Sequence, residues 1–224
     1  MLYTSTRDNS IRVSAAQAIA QGISEEGGLF VPVELPHFDI EKIASMASMN
    51  YIDRAKTVLK EYLTDFTEEE LDYCVSGAYA AQKFSSPQIA PTVNVDGNKN
   101  ILELWHGPTC AFKDMALQLL PYLMTVSAKK TANGKTIVIL VATSGDTGKA
   151  ALEGFKNVDN TKILVFYPVD GVSPMQKLQM TTQEGENVAV CAINGNFDDA
   201  QSAVKSIFTN NDIKKELAKK NMMF

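Results

Sequence analysis

Three short runs rich in β-branched residues constrain the fold of this chain more than any other feature. These runs are residues 136–142, 162–167 and 187–193. Segments with helical character separate them, at about 147–157 and 173–183, and another follows at about 197–208. Strands that alternate with helices form parallel sheets with right-handed crossovers. We therefore predict an α/β fold built on a parallel three-layer αβα sheet.

The part of the chain before this alternation has a different pattern. Apolar residues recur at helical spacing over about 51–63 and 67–83, and Ser14, Asp39 and Thr67 are placed as helix caps. The pattern changes near residue 96, where 100–104 is a candidate strand. We therefore predict a mostly helical N-terminal domain over 1–95 and an α/β domain over 96–224.

Two positions within the α/β region predict local breaks. Pro121 lies inside a predicted helix over 113–129, and a proline there predicts a kink or an interruption. A further helix, over about 211–220, leads into an apolar triplet at 222–224. That triplet is typical of the start of another structural element.

Composition and charge exclude several classes of protein. The net charge is -5, so there is no basic excess to neutralise nucleic-acid phosphates. We find neither an apolar run of the roughly 20 residues that a membrane span needs nor a secretory signal. The three scattered cysteines fit reduced thiols in a cytoplasmic protein, and two histidines do not make a metal centre. We expect no nucleic-acid, membrane or metal partner.

Lys113 is the first candidate for chemistry. It lies in an apolar segment, residues 104–114, that breaks at Gly107 and Pro108. A lysine in an apolar setting is costly unless its amine is neutral or covalently occupied. A covalent bond to a carbonyl cofactor satisfies that condition. The alternative is an ordinary surface lysine, which is the common case.

The segment from Thr143 to Lys149 is the second candidate, because it joins a predicted strand to a predicted helix. It fails the P-loop pattern, since Thr143 and Ala150 replace required residues, and it fails the dinucleotide pattern because only Gly145 and Gly148 are present. A helix start with free N–H groups, hydroxyls and glycines suits a carboxylate or a phosphate. The alternative is a plain turn capped by Asp146 or Thr147.

Taken together, the two segments resemble a known family. The run His-Gly-Pro-Thr-x-Ala-Phe-Lys-Asp at 106–114, followed by Ala-Thr-Ser-Gly-Asp-Thr-Gly at 142–148, closely resembles threonine synthase, a fold-type-II pyridoxal-phosphate enzyme. Further similar motifs fall in the family's order. They are residues 27–32, 35–36, 167–168, 173–177 and 195–200. The resemblance covers essentially the whole chain.

The resemblance implies a role for each candidate residue. Lys113 would carry the pyridoxal 5'-phosphate and then shuttle protons, and Phe112 and Asp146 would contact this cofactor. Substrate binding would fall to Thr143, Ser144, Gly145 and Thr147. Many relatives have Asn where this chain has Asp146, which changes the partner of the cofactor's phenolic oxygen.

Three further sets of residues are weaker candidates for the site. For His106, a hydrogen-bonded turn residue and a site residue remain equal alternatives. Ser5, Thr6 and Arg7 are minor candidates for substrate phosphate. Cys110 is interpreted as a small packed side chain.

The implied reaction converts O-phospho-L-homoserine and water to L-threonine and phosphate, a carbon–oxygen lyase reaction of threonine biosynthesis. Two alternatives stay open: another fold-type-II pyridoxal-phosphate lyase, and a non-catalytic α/β domain that binds a small anion.

Family members have roughly 400–500 residues, about two or three domains. We therefore expect residues 1–224 alone to bind the cofactor weakly and to be inactive, and an apolar sheet face to be a candidate surface for a homodimer.

Overall fold

The computed structural model describes residues 1–224. Its first part contains four helices and two small antiparallel sheets. In chain order the elements are β1 (Tyr3–Ser5), α1 (Ala15–Gln21), β2 (Phe30–Pro32), α2 (Ile40–Ser45), α3 (Tyr51–Tyr62), α4 (Glu68–Ala78), β3 (Thr92–Asp96) and β4 (Lys99–Leu102). Strand β1 pairs with β2, and β3 pairs with β4 in a hairpin.

The predicted helix caps are confirmed. Ser14, Asp39 and Thr67 each accept a hydrogen bond from a backbone N–H of the first turn, and Thr67 forms a full capping box with Glu70. Helix α4 is shorter than predicted, since it ends at Ala78 and only a 3-10 turn follows at Ala81–Lys83. The Tyr79 ring is buried where the helix ends, and its hydroxyl donates to the carbonyl of Met115 over 2.7 Å.

The second part of the chain alternates strands and helices as predicted. In chain order the elements are α5 (Asp114–Leu117), α6 (Leu120–Thr131), β5 (Thr136–Ala142), α7 (Asp146–Phe155), β6 (Thr161–Pro168), α8 (Pro174–Thr181), β7 (Val188–Ile193), α9 (Phe197–Thr209), α10 (Asn211–Lys219) and β8 (Met222–Met223). The predicted interruption at Pro121 is confirmed, because this proline lies in the first turn of α6, where it needs no N–H partner.

The four strands of the second part form one parallel sheet in the order β7-β6-β5-β8. The predicted α/β class is therefore confirmed. The chain builds outward from β5 through β6 to β7, and then returns to the other side of β5 with β8. The apolar end of the chain is thus the further element that the sequence predicts, since Met222 pairs with Thr136 and Met223 with Ile137.

This strand order has a consequence for ligand binding. In open α/β sheets, ligands bind beyond the carboxyl ends of the strands at the point where the strand order reverses. Here the reversal lies between β5 and β8, and the segment that follows the carboxyl end of β5 begins at Thr143. The topology alone therefore favours that segment as a binding site.

Two clusters of buried apolar side chains stabilise the molecule. One joins α1, α4 and α6 through residues such as Ala15, Val75 and Leu123. The other lies between the sheet and its helices, with Phe155 and Val165 fully buried. The first cluster draws on residues from both sides of position 95, and the domain division at that position stays a prediction. None of the helices combines the length and apolar character that a membrane span requires.

Candidate active site

The segment that leads to Lys113 is shaped by the buried side chain of Asp114. This side chain has no solvent exposure, and its oxygens accept hydrogen bonds from the Thr109 backbone N–H (2.9 Å), the Thr109 hydroxyl (2.7 Å) and the Ala111 N–H (3.4 Å). Gly107 is close by, and a Cβ there would lie 2.5 Å from the Asp114 Cβ. Asp114 therefore fixes the turn from inside, and only glycine fits opposite it.

Lys113 is partly exposed, and its amine has neither a hydrogen bond nor an ion pair within the chain. Its Nζ lies 4.8 Å from the centroid of the Phe112 ring, which is a cation–π distance. Phe112 is 55% exposed, so its ring does not pack into the interior of the chain. The interior position next to Lys113 belongs to Asp114 instead, which turns Phe112 outward.

Cys110 also differs from its interpretation. Its side chain is exposed, and its backbone is in the left-handed region, with φ of 56°. The prediction of a packed side chain at this position is therefore wrong, because the tight turn around Asp114 points residue 110 away from the interior.

The second candidate segment, Thr143–Gly148, is organised by the Thr143 hydroxyl. Thr143 is only 2% exposed, and its Oγ1 accepts hydrogen bonds from the N–H groups of Gly145 (3.0 Å) and Gly148 (2.9 Å). Thr143 therefore caps α7 from outside the helix. The alternative cap by Asp146 or Thr147 is wrong, since neither side chain accepts a bond from the helix start.

Three backbone N–H groups of this segment have no acceptor within the chain. They belong to Ser144, Asp146 and Thr147, at the start of α7. The Ser144 side chain is exposed beside them. Unpaired N–H groups at a helix start attract anions, because the helix dipole adds to their partial positive charge. The segment can therefore bind a carboxylate or a phosphate.

Gly145 connects this segment to the next strand–helix loop. Its φ of 143° lies in a region that favours glycine, and a Cβ at this position would be 2.5 Å from the Gln176 side chain. Gln176 lies in the first turn of α8, and its Nε2 donates to Asp146 Oδ1 over 2.7 Å. The loops that follow β5 and β6 are thus joined by a direct hydrogen bond.

Asp146 has a second partner on its own helix. The Lys149 Nζ lies 3.2 Å from the same Oδ1, and the Lys149 side chain is buried. The hydrogen bond from Gln176, followed by that from Lys149, lowers the pKa of Asp146 below its ordinary value. Asp146 is therefore a carboxylate near neutral pH, and it acts as an acceptor.

Lys113 and the Thr143–Gly148 segment lie on neighbouring elements. Helix α5 follows Lys113 directly and packs against α7. This approach is close because a Cβ at Gly154 would meet the carbonyl of Leu117. No hydrogen bond joins the Lys113 amine to the segment. The helices that follow the two candidate segments therefore pack against each other.

The minor candidates have partners of their own. His106 Nδ1 lies 2.8 Å from the Ser85 hydroxyl and its Nε2 lies 2.7 Å from Glu103 Oε2, an arrangement that fits a hydrogen-bonded turn residue. In the other set, Ser5 is hydrogen-bonded to the Glu26 carboxylate, and Arg7 donates to the Glu26 carbonyl. These contacts satisfy the groups within the chain.

Sequence reasoning did not identify Gln176 as part of the site. The available signal was the Ser-x-x-Gln spacing at 173–176, which predicts a capping box, and that box is present. The spacing predicts only that the Gln176 side-chain oxygen accepts a hydrogen bond from the backbone N–H of residue 173. The second bond, to Asp146, depends on the parallel pairing of β5 with β6, which places the two loops side by side.

Comparison with known proteins extends over nearly the whole chain. The sequence profile of the family described as Threonine synthase N terminus matches residues 2–79. The threonine synthase of Pseudomonas aeruginosa is 40% identical over 93% of this chain, and that of Escherichia coli is 35% identical over 93%. The threonine synthase-like 1 protein of Pongo abelii is 37% identical over 92%.

Solved structures show the same relationship. The chain is similar to the pyridoxal-phosphate-bound threonine synthase of Brucella melitensis, with a TM-score of 0.85 and 37% identity over 97% of the chain. It is also similar to the Escherichia coli enzyme, with a TM-score of 0.86 and 34% identity.

These relatives are longer than this chain. The chain spans 44% and 46% of the two bacterial threonine synthases, and 46% and 49% of the two solved chains. The sequence similarity and the shared fold nevertheless agree along its length. Along its length, the chain is therefore similar in sequence and in fold to the threonine synthases, of which it spans somewhat less than half.

Proposed function

We propose that this chain contributes the lysine and the substrate-anion loop of a pyridoxal-phosphate-dependent threonine synthase. The reaction would convert O-phospho-L-homoserine and water to L-threonine and phosphate. The observation that carries the proposal is the set of three unpaired N–H groups and the exposed Ser144 hydroxyl at the reversal point of the sheet, on a helix packed against the one that follows Lys113.

The anion loop would bind the substrate carboxylate. The N–H groups of Ser144, Asp146 and Thr147 are donors that lack acceptors, and a carboxylate carries only acceptors. The Ser144 hydroxyl can add a further donor. Thr143 and Gly145, which we also predict as substrate-binding residues, support the loop: the Thr143 hydroxyl holds its turn, and Gly145 allows the close approach of Gln176.

Lys113 would serve as the cofactor lysine and as the base of the reaction. Its amine makes no competing hydrogen bond or ion pair, and its position over the Phe112 ring leaves its nitrogen accessible. An amine without an acceptor partner is free to bind a carbonyl group covalently, or to hold and move a proton at a substrate carbon. Phe112, which is exposed beside it, would contact the cofactor.

Three groups in this region fit pyridoxal 5'-phosphate and an amino-acid substrate. There is an unpaired amine for its aldehyde, a carboxylate at Asp146 to accept a hydrogen bond from its phenolic hydroxyl, and a group of N–H donors for the carboxylate of an amino-acid substrate. When bound, this cofactor supplies an electron sink for carbanions at the substrate carbons. The chain's own residues would hold the substrate, position it and move its protons.

The substrate is proposed on the strength of the whole set of relatives. The identity to the threonine synthase-like 1 protein of Pongo abelii, 37%, is close to the identity to the bacterial threonine synthases. Turnover of a panel of phosphorylated amino acids, with O-phospho-L-homoserine and O-phospho-L-threonine among them, would distinguish a threonine synthase from a threonine synthase-like protein.

We further propose a cytoplasmic location, and a homodimer as the assembly.

The proposal is tested by covalent trapping. The protein is incubated with excess pyridoxal 5'-phosphate, reduced with borohydride and mapped by peptide mass spectrometry. We expect the label mainly on Lys113. The variant Lys113→Met should lose this label, whereas Lys177→Met, at an exposed position on α8, should keep it.

Labelling spread evenly over exposed lysines, with no preference for Lys113, would contradict the cofactor role. If the loop amides of the same sample still responded to phosphate in an NMR titration, the result would favour the non-catalytic anion-binding domain.

A further inference from the structure

We propose that Gln176 is a positioning residue that, together with Lys149, keeps the Asp146 carboxylate away from the unpaired N–H groups of the loop and so keeps the anion site open. The inference rests on the proposed function for the identity of the anion, but the contacts that carry it lie entirely within this chain.

Gln176 uses both ends of its amide. Its Oε1 accepts from the Ser173 backbone N–H over 3.4 Å, which completes the capping box of α8, and also from the Ser173 hydroxyl over 2.9 Å. Its Nε2 donates to Asp146 Oδ1 over 2.7 Å. A helix cap needs only the oxygen, so the bond to Asp146 is additional to what α8 requires. The residue therefore connects two loops that follow neighbouring parallel strands.

Lys149 restrains the same oxygen from the other side. Its side chain is buried, and its only ion pair is with Asp146. A buried ammonium group needs a partner, because an unpaired one pays a large desolvation cost. Asp146 is thus restrained at one oxygen by two donors from different helices.

Without these restraints, Asp146 would have nearer partners. It is the first residue of α7, and an aspartate side chain near a helix start can accept hydrogen bonds from neighbouring backbone N–H groups. Those are the unpaired groups of the loop. A released Asp146 would occupy them and repel an incoming carboxylate. Held by Gln176 and Lys149, it leaves them free.

The charged surroundings of Asp146 are simple. Helix α7 itself contributes Lys149, the start of α5 has Asp114 and the preceding Lys113, and α8 carries Lys177. Asp114 is hydrogen-bonded to its own turn, and neither Lys113 nor Lys177 forms an ion pair with Asp146. The protonation of Asp146 should therefore respond mainly to Gln176 and Lys149.

The test uses Gln176→Met, which removes the amide without adding charge. The first readout is the carbon-13 NMR signal of the Asp146 carboxyl, and the second is the shift of the loop N–H signals on addition of inorganic phosphate. We expect the carboxyl carbon-13 signal of Asp146 to shift, because its partner changes from Gln176 to the loop N–H groups. We expect phosphate binding at these amides to weaken about fivefold, as the loss of one hydrogen bond would do.

Two further variants separate the bridge from the helix cap. Gln176→Glu keeps an acceptor for Ser173 but loses the donor to Asp146, so it should also shift the Asp146 carboxyl signal and weaken phosphate binding. Gln201→Met, on the exposed face of α9, is the matched control and should change neither readout.

An unchanged Asp146 carboxyl signal in Gln176→Met would overturn the proposal, and so would unchanged phosphate affinity in a variant whose Asp146 signal has moved. If phosphate does not bind the wild-type loop at all, the proposed anion site fails and the inference falls with it. In that case the Asp146 carboxyl signal still shows whether the bridge exists in solution.

Discussion

The two candidate segments, 106–114 and 143–148, are both tight turns, but different kinds of side chain fix them. Each places a residue for chemistry at the surface and uses a buried neighbour to fix the turn. In the first segment that neighbour is Asp114, an ionisable side chain with no solvent exposure. In the second it is Thr143, a neutral hydroxyl. The first turn is held by its own segment, whereas the second is also tied to another helix through Gln176.

The anion-binding loop is therefore ordered before a ligand binds, whereas the Lys113 amine is not held by any polar contact. The loop after β5 has its N–H groups aligned and its carboxylate restrained before any ligand arrives, so binding costs little further ordering. The Lys113 amine has no polar partner, and its lysine side chain keeps its conformational freedom. The chain therefore arranges the anion site in advance and leaves the amine available.

The largest effect in this comparison should come from Asp114→Ala. It removes the acceptor of two backbone N–H groups and one hydroxyl in a fully buried position. We expect a loss of about 3 kcal/mol in the free energy of unfolding, measured by urea denaturation. The control Asp170→Ala, at an exposed position, should change stability by less than about 0.5 kcal/mol.

A loss for Asp114→Ala as small as that of the control would break the comparison, since the first segment would then not depend on its buried aspartate.

An intermediate effect is expected for Thr143→Val, which keeps the shape of the side chain and removes its hydroxyl. Two N–H groups lose their acceptor, so we expect a loss of about 2 kcal/mol in unfolding free energy and faster amide exchange at Gly145 and Gly148. Thr143→Ser retains the hydroxyl and should keep the slow exchange. Fast exchange in both variants would show that packing of the methyl group, rather than the hydroxyl, organises the loop.

The smallest effect should come from Lys113→Met. The amine makes no hydrogen bond or ion pair, and methionine preserves most of the aliphatic chain, so the unfolding free energy should change by less than about 0.5 kcal/mol. Urea denaturation measures this directly, in parallel with the loss of cofactor labelling. A large destabilisation would mean that Lys113 has a structural role, and the contrast between a prepared loop and a free amine would no longer hold.

The features that depend on local physics were predictable from the sequence. The cap at Ser14, the interruption at Pro121 and the apolar strand at 136–142 each follow from a few adjacent residues, and each is present in the structure. The hairpin of β3 and β4 was only half predicted. Its strands are exposed throughout, so no buried face marks them in the sequence.

The site was predictable as two segments but not as a set of contacts. The sequence identifies Lys113 and the 143–148 loop. Its alternative interpretation of that loop, a turn capped by Asp146 or Thr147, is wrong because Thr143 provides the cap. The bond between Gln176 and Asp146 joins residues 30 positions apart. It exists because two parallel strands end side by side, and such long-range placement has no signature in adjacent residues.

The pairing of β5 also determines how the sheet behaves in solution. On one side β5 pairs with β6 along nearly its full length, but on the other side β8 covers only Thr136 and Ile137. From Val138 to Ala142, the backbone donors and acceptors on that side have no strand partner. An open edge of this kind, in a strand rich in valine and isoleucine, is a template for any extended segment that meets it. These five residues are therefore the part of the β5 edge that is available for pairing with another extended segment.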